Sequence, residues 1–203
     1  MGQNTLSDAE KGRLPTPAEE EGIEALVGGA MSAFMGTPVV ADPNLIVTTI
    51  DIAAGAATLA AQPDCPRNLT FVLTDANDSV TATVVILGVD AVGRVVREDI
   101  QITLGVNKAW TGTKIFATVT SITVSALSGE AGGDAWVVGI GNVIGTPIDL
   151  GVASEVVHAF VDGARVTPDA VAVGESTSGI DANGATYDGA KIMYALLKPT
   201  KNT

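Results

Sequence analysis

The chain has 203 residues, of which 46% are hydrophobic, 17% charged and only 4% aromatic, so the apolar content is mostly aliphatic and sufficient to fill a sizeable core. Eleven Lys and Arg against 23 Asp and Glu give a net charge of -12, which repels a phosphate backbone and argues against nucleic-acid binding. A single cysteine, Cys65, excludes a disulfide within the chain, and no apolar run approaches the roughly 20 residues of a membrane-spanning helix.

The first element in chain order is a helix. Thr16-Pro17-Ala18-Glu19 supplies an N-cap hydroxyl, a proline at the first helical position and a glutamate three residues after the cap. Ile23, Leu26, Val27, Ala30, Met31 and Phe34 follow on one side at helical spacing, and Glu20, Glu21 and Glu24 sit early, where the helix dipole favours negative charge. Gly28 and Gly29 weaken the helix by about 1 kcal/mol each relative to Ala, so it needs a partner for its apolar face. Gly36 and Pro38 stop it. Residues 1–37 are therefore read as an arm with a short helix, and residues 38–203 as a β domain. Met1 to Gly22 lack the basic and apolar regions of a secretory signal, so synthesis in the cytoplasm is expected.

From Asn44 onward the period changes to two. Strands are predicted at Leu45–Asp51, Asn68–Thr74, Val80–Gly88, Val95–Leu104, Phe116–Ser125, Trp136–Ile140, Glu155–Val166 and Lys191–Leu197, separated by turns rich in Asp, Asn and Gly. About eight short strands at this spacing predict an antiparallel β-sandwich or jelly-roll-like domain. Two positions depart from the alternation. Glu98 has the parity of the apolar face, so it pairs on the sheet, enters a contact between subunits, or is turned to water by a bulge. In Ile115–Ala126 (IFATVTSITVSA), Phe116 and Val119 have opposite parity, which a bulge near Thr120 or burial on both faces would reconcile.

Reactive groups are few. The one histidine, His158, lies among apolar residues and reads as structural; no nucleophile motif accompanies it. Cys65, between Asp64 and Pro66 with Arg67 nearby, reads as a small inert side chain, a lowered thiol pKa being the alternative. Asp75, Asn77 and Asp78, and likewise Asp181 and Asn183, offer oxygens, but the twelfth positions of the corresponding calcium loops are Ile86 and Ile192 instead of a bidentate Glu, so these read as plain turns. No catalytic residue, metal site or cofactor is predicted. Trp110, in a Gly- and Thr-rich connection, is read as exposed or as an edge residue covering the core. Ile23, Leu26, Val27, Phe34, Glu98 and Trp110 are the candidate interface residues.

Ala61-Gln62-Pro63-Asp64-Cys65-Pro66-Arg67-Asn68-Leu69-Thr70 is followed by Gly88 to Gly93, Arg97-Glu98-Asp99-Ile100, Ile115 to Val124 and Val138-Gly139-Ile140-Gly141-Asn142. This succession, over roughly residues 60 to 150, resembles small β-rich virion proteins of tailed bacteriophages, in particular capsid decoration or cement proteins. The chain departs from that pattern at Cys65, where an apolar residue is usual between the two prolines, and at Thr146-Pro147, where a Leu-Pro pair is usual. The resemblance implies a non-enzymatic structural protein on the capsid surface of a virion. Its partners would be the major capsid protein and further copies of itself, most simply as a homotrimer. A tail, neck or head-fibre protein is the nearest alternative and a carbohydrate-binding module the next. An enzyme would have to rely on Glu98 with one of the scattered Asp residues.

Overall fold

Side chains that alternate between aliphatic and polar carry most of the chain into antiparallel sheet. The computed structural model describes residues 31–104, 108–182 and 187–198. Within them the strands are β1 (Met31–Gly36), β2 (Val47–Asp51), β3 (Gly55–Ala56), β4 (Arg67–Thr74), β5 (Thr81–Val89), β6 (Val95–Ile102) and β7 (Lys108–Phe116). They continue with β8 (Thr118–Ser128), β9 (Ala135–Gly145), β10 (Val156–Val161), β11 (Ala164–Val166), β12 (Ala170–Ala172), β13 (Gly179–Asp181) and β14 (Met193–Leu197). A 3-10 turn, Ala153–Glu155, precedes β10.

Three antiparallel sheets result. A hairpin sheet has the order β3-β8-β5-β6; a shared sheet has the order β12-β13-β9-β4-β7, with β2 also on β9; a terminal sheet has the order β1-β14-β10-β11. The arrangement is sandwich-like and mainly β, as the strand spacing predicts. The hairpin and shared sheets enclose the first core, which includes Leu69, Phe71 and Leu73 of β4, Val84 and Ile86 of β5, and Trp136, Val138 and Ile140 of β9. The terminal sheet closes a second core against the far end of the shared sheet, bringing Met35, Met193 and Leu197 against Ile144 and Ile180. Each large aliphatic side chain so covered contributes about 1.5–3 kcal/mol before chain entropy is subtracted.

The irregular parity at Ile115–Ala126 has two causes. At Ala117 the chain leaves one sheet for the other: Phe116 pairs with Arg67 in the shared sheet, whereas Thr118 pairs with Val89 in the hairpin sheet. Thr120 is then an extra residue, because Leu87 faces Ser121 while Gly88 faces Val119. This is the bulge predicted near Thr120, and it lets Val119 and Ile122 both point into the core. Gly88 is required beside it, since a Cβ there would strike the Thr118 carbonyl and the Phe116 ring.

Several elements differ from the sequence reading. The helix predicted to run through Phe34 does not reach Met31, because Met31–Gly36 is a strand that pairs with β14, Phe34 opposite Tyr194. Alternating burial of Ala33 and Met35 against the second core sets its period at two. The predicted cap and the candidates Ile23, Leu26 and Val27 lie outside the described residues. The single strand predicted over Glu155–Val166 is a hairpin: Asp162 and Gly163, with φ of 52° and 75°, turn the chain between Val161 and Ala164. Strands β3, β7, β12 and β13 fall where no strand was predicted.

Candidate functional site

Glu98 and Trp110 meet at the seam of the sandwich. Strand β6 is the edge of the hairpin sheet and β7 the edge of the shared sheet, so both would leave backbone groups unpaired along their outer sides. Strand β6 runs without a bulge, which carries Glu98 inward, where it is only 7% exposed. Its Oε1 accepts hydrogen bonds from the Thr113 N–H at 2.8 Å, the Thr113 hydroxyl at 3.2 Å and the Lys114 N–H at 3.3 Å. Glu98 Oε2 is buried with no hydrogen-bond partner among the described residues. Gly112 makes the room, because a Cβ there would stand 2.8 Å from Oε2 and 2.9 Å from the Trp110 ring. Burial pushes the Glu98 carboxyl above its ordinary pKa, outweighing the N–H donors of Thr113 and Lys114. Trp110 is half-buried, lies opposite Phe71 and packs on the first core, so it covers the edge. Of the readings open for Glu98, pairing across the sheets within the chain is the one observed.

Buried acidic side chains elsewhere hold loops. Asp75 accepts from the backbone N–H of Asn77, Ser79 and Val80 at 3.2, 3.3 and 2.9 Å; burial alone would raise its pKa, but these donors hold it below the ordinary carboxylate value. The Asp75 oxygens considered for calcium are thus turned onto their own turn, and Asn183 lies outside the described residues. Asp134 ties in the same way to the N–H of Ala76 at 2.7 Å and of Ala131 at 2.6 Å.

A larger brace joins three loops. Asp90 accepts from the N–H of Val92 and Arg94, from Arg94 Nε at 2.9 Å and from the Ser176 hydroxyl at 2.8 Å. Arg94 in turn grips Asp149 with both terminal nitrogens, at 2.5 and 2.6 Å. Against the opposing effect of burial, these donors lower the Asp90 pKa; the Arg94 guanidinium does the same for Asp149. Buried Arg67 forms a further tie, donating to Asp64 Oδ1 at 2.8 Å and to the Val39 carbonyl at 3.1 Å, while the Val39 N–H donates to Asp64 Oδ2. Sequence reasoning passed over Arg94, Asp149 and Ser176. Their partners are 55 and 86 residues apart, and only the local Asp90-to-Arg94 turn around Gly93 carries a signal.

Cys65 is buried in the second core; burial first, and then the negative charge of Asp64, push its thiol up to about 12. It stays protonated and inert at neutral pH, so the lowered-pKa alternative is set aside. His158 is buried on β10, its ring edge-on to Phe160 at 6.1 Å. Phe34, by contrast, is 68% exposed on the side of β1 turned from the second core. Among the described residues no three His, Cys, Asp or Glu side chains come together as a metal site, and no helix is long and apolar enough to cross a membrane. The candidates therefore divide: Glu98 and Trp110 converge on Gly112, and Phe34 stands apart on the terminal sheet. Comparison with protein families, with curated proteins and with solved structures gives no match for this chain.

Proposed function

We propose that this chain is a structural virion protein that decorates a phage capsid, seated between subunits of the major capsid protein as a homo-oligomer, most simply a trimer. The observation that carries this reading is where the charges and the apolar side chains lie. Asp64, Asp75, Asp90, Asp134 and Arg67 brace the chain's own turns, which suits a stiff scaffold under mechanical load. Exposed Phe34 and Val95 lie on strands β1 and β6 at sheet edges, where a neighbouring subunit can cover them. The net charge of -12 keeps such a module away from packaged nucleic acid. The succession of motifs between residues 60 and 150 gives the phage assignment.

Purified particles test it. Mass spectrometry should find the chain at a copy number that is a fixed fraction of the major capsid protein, and labelled antibody should mark the head. Signal confined to the tail or neck would replace decoration by a tail role, and absence from particles would reject both. A carbohydrate-binding role would use an exposed aromatic platform; the packing of Trp110 against the first core weakens it.

A further inference from the structure

The terminal sheet has a second face, opposite the one that closes the second core. Strand register places Phe34, Tyr194 and Phe160 in one row across β1, β14 and β10, with Arg165 of β11 continuing it. The Phe160 and Tyr194 rings stack at 4.7 Å. In the next row Ser32, Leu196 and His158 lie abreast. Phe160 and Leu196 stand outside both core clusters, yet each is only 6% exposed. Side chains of this size on an open sheet face show far more surface, as Phe34 at the edge does at 68%, so the burial of Phe160 and Leu196 points to a cover over the β14 and β10 part of the face.

We propose that the occupant is this chain's own residues 17–30. Connectivity delivers them to the right place, since Met31 opens β1, the edge strand of this sheet, opposite Leu197. Their length fits: fourteen residues in a helix span ~21 Å, enough to cross four strands spaced ~4.8 Å apart. Their pattern fits, because Ile23, Leu26, Val27 and Ala30 make one apolar stripe whose two central glycines leave the helix in need of a partner. Charge fits too. Exposed Arg165 ends the aromatic row and exposed Lys198 follows Leu196 on the same parity, whereas the segment brings Glu19, Glu20, Glu21 and Glu24. The face is thus an intramolecular seat, and the proposal stands independently of the capsid reading.

Photo-cross-linking of the full-length protein tests it. p-Benzoylphenylalanine replaces Phe34, whose exposure tolerates the larger ring, in a mixture of isotopically heavy and light copies. Cross-links to residues 17–30 of the same copy are the expected result; cross-links only between heavy and light copies, or none to residues 17–30, overturn the proposal. In parallel, Leu26→Asp in the full chain should raise the rate of cleavage after Glu24 by a glutamate-specific protease at least tenfold, with the sheet signal in circular dichroism retained. An unchanged cleavage rate would equally overturn it.

Discussion

The two cores are built on different plans. In the first, long strands keep their alternation for up to nine residues, β5 pairs with β6 residue for residue from Ala82 to Val89, and apart from Ala82 the buried filling is Phe, Ile, Leu, Val and Trp. In the second, β11, β12 and β13 are three residues each, and Ala33, Ala159, Ala182 and Ala195 share the interior with a few large side chains. Strand length and side-chain volume stabilise the first region locally. The second holds because distant segments are brought together, β1 with β14 and Cys65 with Gly36, where a Cβ would lie 2.9 Å from the Cys65 Cβ. Strand β9 ties the two regions: Trp136, Val138 and Ile140 enter one core and Ile144 the other.

If that tie is effective, damage to one core should unfold both. Phe71→Ala is expected to cost about 3–5 kcal/mol. In urea titrations the fluorescence of Trp136 and the near-ultraviolet signal of Tyr187, in the second core, should then shift together. Two separated transitions would show that the regions are independent units. The next largest effect concerns the middle of β9. Gly139→Ala places a methyl group where the backbone of Asp42 and Pro43 already lies, and should cost about 1–3 kcal/mol or more. Gly132→Ala, with nothing within 4 Å, is the control and should leave the urea midpoint almost unchanged.

Acid sharpens the contrast between braced loops and the seam. Asp90 has a folded pKa below its unfolded value of about 3.9, so its contribution is present above about pH 4 and lost as pH falls through the folded value. Asp90→Asn should cost about 1–3 kcal/mol at pH 7 and flatten the loss of stability toward acid, as read by urea midpoints from pH 7 to pH 2.5. Glu98 has the opposite sign. Its folded pKa is raised above about 4.3, so its contribution declines as pH rises from that value through the folded pKa. Glu98→Gln should therefore change stability by no more than about 1 kcal/mol at pH 7, and the variant should gain relative to wild type as pH rises; a loss of 3 kcal/mol would show that the charge itself holds β7.

What could be read from the sequence follows the same division. Strands β5 and β6 were legible because one face is covered and the other more open, which writes a period of two into the residues; β4 from Leu69 on and β9 up to Val138 keep the same alternation. Strand β7 was not, since Gly112 and its threonines read as a connection; the glycine is there for Glu98, a partner on another sheet. Asp162-Gly163 did carry a hairpin signal, but apolar residues on both faces of β10 and further valines at Val161 and Val166 on either side of the turn masked it. Strand β1 lay inside a stripe that fits helical spacing up to Phe34, and only its pairing with residues near the other end of the chain decides for a strand. The inward parity of Glu98 was legible, whereas the donors that meet it were not, because they lie 15 and 16 residues away across a sheet boundary.

The pairing of β1 with β14 also sets a schedule for the growing polypeptide. Strand β14 lies second in the terminal sheet, between β1 and β10, so β1 has no partner strand, and the β10–β11 hairpin no second neighbour, until it has left the ribosome. It is synthesised ~160 residues after β1, a delay on the order of ten seconds at typical translation rates. By then every strand of the first core has emerged and can have paired. Newborn chains released before residue 193 would carry a finished first core and an unclosed second one, which makes the synthesis of β14 the step before which premature termination exposes a sheet-forming edge to other nascent copies.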